Sequence, residues 1–316
     1  MTADRIERLR RRAALTARTR GFFEARGVLE VDTPLLADGV VVEAHIDPIP
    51  CRVRLGAGDA VERRLLTSPE GPMKRLLALG SGPIYQFAHA FRDGEVGRRH
   101  AVEFTMLEWY RPGIDHYALM DEVEALLQHL VPETAGAGFD RSTYRELFLE
   151  FAAIDPFQTS LAELRLACER LGVDMPRGFD EGTVDDALDL VLVSHIEPLL
   201  GQVRPLFVYG YPPSQAALAK VQQPSGEEPA TAARFELYCR GVELANGYHE
   251  LVDAEEQRRR FEQANRDRVA DGRSALPIDE ELLSALEHGM PPCSGVALGF
   301  DRLLMLAAGR DRIDEV

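Results

Sequence analysis

Residues 84–111, IYQFAHAFRDGEVGRRHAVEFTMLEWYR, decide how the rest of the chain is read. Residues 84–91 and 103–110 are rich in aromatic and β-branched side chains, which predicts two strands. A tight hairpin needs only a short Asn-Gly or Asp-Gly turn. Here residues 92–102 intervene, with Arg92, Arg98, Arg99 and His100 around Asp93, Gly94 and Glu95. Guanidiniums offer fixed, forked donors to phosphate oxygens, so such a loop beside a sheet suits a polyphosphate. Strand alternation then puts Phe104, Met106, Glu108 and Tyr110 on one face, a floor for a base and a cationic substrate. Taken alone, the hairpin fits a solvated, charged tip equally well.

Working outward, the 316 residues with 45% hydrophobic content suffice for a sizeable core in one large or two small domains. A net charge of −16 disfavours a surface built to wrap nucleic acid. No apolar run is long enough to span a membrane and no signal peptide is visible, so a cytoplasmic protein is expected. Cys51, Cys168, Cys239 and Cys293 are scattered without metal-ligand spacing and read as reduced thiols. Residues 4–26 predict an amphipathic helix with seven arginines between Arg5 and Arg20: a solvated face, or a docking surface for an acidic partner.

Gly27 ends that helix, residues 28–31 form a short strand, and Pro34 keeps the chain extended. Two strand-like runs follow at 45–54 and 61–66. Thr67-Ser68-Pro69-Glu70 caps a helix over 73–79, with Glu70 readable as an ordinary cap. Past the hairpin, residues 116–130 are helical. Residues 132–205 read as a mainly helical inserted segment (144–151, 160–171 and 184–195), interrupted at Pro156, Pro176 and Pro198. Strands are expected at 205–211 and 233–240, with a mobile loop at 222–230. In GVELANGYHEL, residues 241–251, Gly247 permits a bend that would bring Glu243 and Glu250 together. They read either as two surface acids on a turn or as a pair able to share Mg²⁺ or grip an ammonium. Helices follow at 254–269 and 279–288. In CSGVALGFDRLLM, residues 293–305, a small-residue strand at 294–298 meets a helix at 303–308. Gly299 lets the backbone approach a ligand, and Arg302 sits where helix-end amides face an anion. Residues 311–316 stop directly after a helix, which leaves room for a trimmed terminal strand.

In order, the three stretches resemble the three motifs of the class II aminoacyl-tRNA synthetases: residues 20–36 the first, ending at Pro34, residues 91–110 the second and residues 295–302 the third. The words TSPE, MKRLL, EFTMLEWY, ELANGYHEL and SGVALGFDR are similar to the lysyl-specific branch, over nearly the whole chain. The resemblance implies an α+β fold, a mostly antiparallel sheet flanked by helices, in one catalytic domain over 1–316 with the inserted segment at 132–205, dimeric through the first motif. Lysyl-tRNA synthetases carry a β-barrel ahead of that motif. Here the motif begins near residue 20, which points to stand-alone paralogues with no anticodon-binding domain. These activate (R)-β-lysine with ATP and transfer it to a lysine side chain of elongation factor P, so neither tRNA nor a membrane is an expected partner. A truncated synthetase charging tRNA or a small acceptor, and an inactive paralogue serving as a binding module, are the alternatives.

The same resemblance assigns roles. Arg92 holds the α-phosphate and Arg302 the distal phosphates, as the catalytic pair. Phe104 stacks on adenine, and Asp93, Gly94, Glu95, His100, Ala101, Glu243, Leu244 and Gly299 complete the ATP site. Ser68, Pro69, Glu70, Glu108, Tyr110, Glu250 and Ala297 line the amino-acid pocket, and Glu243 and Glu250 serve Mg²⁺. Three positions depart from the family. Ala101 stands where an asparagine usually touches the nucleotide. Asp93-Gly94 replaces Asn-Glu, so a carboxylate reading the adenine amino group has to come from Glu95. Ala297 replaces a glycine, narrowing the α-amino end of the pocket in favour of an amine one carbon further along.

Overall fold

The computed structural model describes residues 2–56, 58–136, 138–176, 182–223, 226 and 228–316; residues 224, 225 and 227 of the expected loop at 222–230 lie outside them. Helix α1 (Thr2–Glu24) ends two residues earlier than its pattern predicts, and Gly27, at φ +66°, turns the chain into β1 (Leu29–Glu30). Strands β2 (Leu36–Ala37), β3 (Pro50–Arg54) and β4 (Ala60–Leu65) form a small antiparallel sheet in the order β2-β4-β3. Helix α2 (Glu70–Ala78) leads into β5 (Ile84–Phe91) and β6 (Glu103–Pro112), the predicted hairpin, paired antiparallel from Ile84–Tyr110 to Phe91–Glu103. Helix α3 (His116–Leu130) starts at Asp115, whose side chain accepts from the Ala118 amide.

The inserted segment is mainly helical, as expected: α4 (Pro132–Ala135), α5 (Tyr144–Leu147), α6 (Leu161–Leu171) and α7 (Val184–Val191). Thr143, Ser160 and Thr183 each form a capping box with the acid three residues on. Two readings need correction. The helices expected to reach 151 and 195 finish as π-helical turns, Phe148–Ala152 and Leu192–Ile196, and residues Asp140–Thr143 form a strand, β7. Then come β8 (Leu206–Tyr211), β9 (Val221–Gln222), β10 (Thr231–Cys239), β11 (Val242–His249), α8 (Ala254–Ala270), α9 (Glu280–Gly289), β12 (Cys293–Gly299) and α10 (Phe300–Ala307).

The large sheet runs β1-β5-β6-β12-β11-β10-β8-β7, with β9 beside β10. Only the edge pairs β1–β5 and β7–β8 are parallel. Strand alternation sorts its two faces. Leu107, Trp109, Phe235, Leu237 and Leu298 join Phe23 of α1, Leu119 and Met120 of α3 and Phe300 of α10 in one buried core. Trp109 packs on Phe23 and donates its indole N–H to Glu122 at 3.0 Å. Each fully buried large apolar side chain there contributes roughly 1.5–3 kcal/mol, which fixes the sheet and so the side chains on its opposite face.

The bend expected at Asn246-Gly247 is absent. Strand β11 runs through it, with Gly247 paired to Phe235 and Val296. Glycine is required there for packing: a Cβ would lie 2.4 Å from the Phe235 ring. The basic helix is also less free than its sequence predicts. Arg12 pairs with Asp301, Arg18 donates to carbonyls at the end of α3, and Arg20 pairs with Glu30.

Candidate active site

On the face opposite that core, β6, β10, β11 and β12 floor a cavity of about 540 Å³. Every predicted site residue lines it except Pro69, which precedes α2 as its N-cap, and Asp93, whose amide donates to the Asp47 carbonyl at 2.8 Å.

One end is cationic. Arg92 leaves the end of β5 with its guanidinium 5.1 Å from the centre of the Phe104 ring, and its Nε is buried without a protein partner. Arg302, in the first turn of α10, donates to the Glu243 carbonyl at 2.8 Å and approaches the Glu243 carboxylate at 3.3 Å. Its other terminal nitrogen lies 2.8 Å from His100 Nε2. Burial and then Arg302 hold the His100 pKa down, so the neutral ring accepts from the guanidinium. Gly94, at φ +75°, swings the loop so that Glu95 turns back to the cavity, 3.7 Å from Arg92.

The other end is acidic. Glu108 and Tyr110 project from β6, Glu250 follows β11 and Glu70 opens α2. Tyr110 donates to Glu108 Oε1 at 2.6 Å, leaving Glu108 Oε2 buried and unpartnered. Burial, reinforced by the like charges of Glu70 and Glu250, pushes Glu108 up to about 8. Burial also raises Glu250, to about 7, against the pull of Lys74. Gly295 is needed beside them, since a Cβ would meet the Tyr110 ring at 2.3 Å and Glu250 Oε1 at 2.6 Å. Ala297 pairs in register with Glu108 on one side and Asn246 on the other, so its methyl forms part of this wall.

Lys74 was not legible as a site residue. It sits one turn beyond Glu70 on α2, is 1% exposed, and places its ammonium 2.5 Å from Glu70 Oε1 and 2.6 Å from Glu250 Oε2. Burial pulls its pKa down, but the two carboxylates override this and raise it. A signal existed in the composition: Lys74 and Lys220 are the only lysines among 36 Lys and Arg residues. Also missed were Glu43, which lines the cavity from the β2–β3 connection, and Arg234 and Glu236 of β10, an ion pair 2.5 Å long in its wall.

The expectation that Glu243 and Glu250 share a cation does not fit this geometry. With β11 continuous they stand at opposite ends of a strand, about 20 Å apart along the backbone. Glu243 is engaged by Arg302 and Glu250 by Lys74. Among the described residues no group of three or more His, Cys, Asp or Glu forms a metal cage. Glu243 alone, beside Arg302, is left as a single carboxylate of the kind that can hold Mg²⁺ when phosphate oxygens supply most of its ligands.

The family model for the class II tRNA synthetases (D, K and N) matches residues 1–316. The chain is 47% identical over 312 residues to an elongation factor P–(R)-β-lysine ligase of Yersinia enterocolitica, covering 98% of this chain and 94% of that one. Proteins of the same name from Edwardsiella ictaluri (48% over 312 residues) and Vibrio vulnificus (49% over 313 residues) are covered to the same extent.

Proposed function

The chain belongs to the class II tRNA synthetases of the D, K and N type, and from that premise we propose that it is an ATP-dependent ligase joining (R)-β-lysine to a lysine side chain of elongation factor P. The observation that carries the substrate is charge balance at the acidic end of the cavity. Three carboxylates, Glu70, Glu108 and Glu250, face one ammonium, Lys74; once Glu108 and Glu250 give up the protons that burial holds on them, two negative charges remain for a ligand bearing two ammonium groups. The names of the relatives specify which diamino acid and which acceptor.

With its amines held there, the amino acid turns its carboxylate towards Arg92. That carboxylate attacks the α-phosphorus of ATP, forming the aminoacyl-adenylate and releasing pyrophosphate. No side-chain nucleophile is needed. Arg92 stabilises the charge that develops on the α-phosphoryl oxygens, and Arg302 holds the distal phosphates. Phe104 takes the adenine ring, with Glu95 as the acceptor for its amino group. Glu243 serves Mg²⁺, which neutralises the phosphates when bound. An amine of the acceptor then displaces AMP.

The enzyme works in the cytoplasm as a homodimer, with β1 at a sheet edge and exposed Ile6, Leu9 and Leu29 offering an apolar face. Among the described residues no helix is long and apolar enough to cross a membrane.

The test is incubation with ATP, (R)-β-lysine and elongation factor P, read by pyrophosphate exchange and by the intact mass of the acceptor. Exchange together with a mass gain of one β-lysyl group is expected. Exchange without the mass gain refutes the acceptor, and absence of both refutes the ligase.

A further inference from the structure

Adenylate formation leaves three acids of the cavity lining unused, Glu43, Glu236 and Asp301; Glu236 pairs with Arg234 and Asp301 with Arg12, whereas Glu43 has no such pair among the described residues. Its carboxylate is surrounded by protein yet opens on the cavity, and it makes no hydrogen bond or ion pair among the described residues. The segment that carries it is fixed. Buried Arg268 donates to the carbonyls of Glu43 at 3.1 Å and Ile46 at 3.0 Å and pairs with Asp47, whose carbonyl receives the Asp93 amide. Val40 is tied to the turn before α9 through Pro277 and Asp279. A carboxylate without a partner on so firmly held a backbone is a built feature of the cavity.

Its surroundings locate it. The charges that act most strongly on Glu43 are those of Arg92 from the β5–β6 loop, Glu70 from α2, Arg234 from β10 and Glu95 from the same loop as Arg92. Glu70 belongs to the amino-acid end and Arg92 to the nucleotide end. Glu43 thus lines the same cavity and feels charges from both its ends, within which an aminoacyl-adenylate has to lie. Burial pushes its carboxyl up, opposed first by Arg92. A lysine side chain has an ordinary pKa near 10.4, so at pH 7 only about one amine in 2,500 is free to attack.

We propose that Glu43 is the acceptor subsite: it binds the primary ammonium of the incoming protein lysine and removes a proton from it. The inference rests on the ligase reading above. The proton passes from the lysine nitrogen to a Glu43 oxygen. The freed amine attacks the carbonyl carbon of the aminoacyl-adenylate, the new C–N bond forms as the C–O bond to the phosphate breaks, and AMP leaves with that electron pair. The second proton lost by the nitrogen goes to the departing phosphate or to water.

The test is a single-turnover reaction in which enzyme loaded with (R)-β-lysyl-adenylate is mixed with elongation factor P and the acceptor mass is followed. Glu43→Gln keeps the shape and removes the base, and should lower the ratio of transfer rate to pyrophosphate-exchange rate at least 100-fold, the lower range for a lost general base. Capture of the adenylate by hydroxylamine, largely neutral at neutral pH, should not show this loss. In the parent, transfer should rise with pH as Glu43 ionises, Glu43→Asp should keep that rise, and Glu43→Gln should flatten it. An unchanged ratio, or hydroxylamine capture falling together with transfer, overturns the proposal. Should Glu43→Gln not fold, a Glu43→Asp enzyme whose transfer shows no pH-dependent rise overturns it equally. A parent enzyme that exchanges no pyrophosphate refutes the ligase reading instead.

Discussion

Replacing Lys74 by methionine keeps the volume of the buried side chain and deletes its charge. In the parent, the ammonium sits within 2.6 Å of oxygens from both Glu70 and Glu250, all three side chains being 12% exposed or less. Breaking a buried pair costs roughly 3–5 kcal/mol, and the protein can escape much of that by protonating one carboxylate. Glu250, already raised to about 7 by burial, is the group that gives way. A further rise of two units, about 2.7 kcal/mol, is a modest share of the lost attraction. The sign follows from the charged form being the one that binds substrate. Ionised Glu250 falls from about three quarters to a few per cent of molecules at about pH 7.5, so KM for (R)-β-lysine rises roughly 20-fold there. Raising the pH restores binding in the variant, and KM for ATP is unaffected because the cationic end is untouched. Pyrophosphate exchange measured against each substrate from about pH 6.5 to about pH 9 reads all of this. Equal changes in both KM values, or an amino-acid KM whose pH dependence matches the parent, would show that Lys74 only supports the fold.

The parent itself should bind (R)-β-lysine more tightly as pH rises through about 7 to 8, because burial keeps Glu250 and Glu108 partly protonated and an incoming dication must expel those protons; a flat KM over that range refutes the charge count. Arg92→Ala should abolish exchange while leaving the circular dichroism spectrum unchanged, and exchange at the parent rate removes Arg92 from the chemistry. Ala297→Gly should erase much of a roughly ten- to hundred-fold preference for (R)-β-lysine over α-lysine by improving α-lysine, since the methyl at the pocket wall costs an overlapping amine about 1–3 kcal/mol; an unchanged ratio of kcat/KM values refutes its role. Activity should vanish in EDTA and return with Mg²⁺, and Glu243→Gln should raise the Mg²⁺ concentration required, whereas insensitivity to chelator rules the metal out.

The hairpin and the face that its second strand turns to the cavity could be read in the sequence because they are local, while most of the remaining lining comes from the family resemblance. Phe104, Met106, Glu108 and Tyr110 share a face by alternation alone, and the same rule sends Leu107 and Trp109 to the core. The misreading at Asn246-Gly247 is equally physical. The pair carries a turn signal, but the glycine is there because the Phe235 ring of β10 leaves no room for a Cβ, a fact of the neighbouring strand. Glu43, Lys74, Arg234 and Arg268 become meaningful only once distant segments meet: Arg268 of α8 holds carbonyls more than 220 residues away. Nothing in local pattern singles out Arg268 among the many charged side chains of α8, whose buried residues are Gln257, Phe261 and Arg268.

The enclosure of Lys74 has a consequence for the enzyme's own safety. An aminoacyl-adenylate is an acylating agent, and any that escapes attacks the nearest uncharged amine. Of the two lysines in the chain, one is locked away as an ammonium between two carboxylates, and only Lys220 reaches solvent. The other basic side chains are guanidiniums, which stay protonated and make poor nucleophiles. A protein that manufactures a lysine-directed reagent thus presents that reagent with almost no lysine of its own, and the acceptor's amine meets little internal competition.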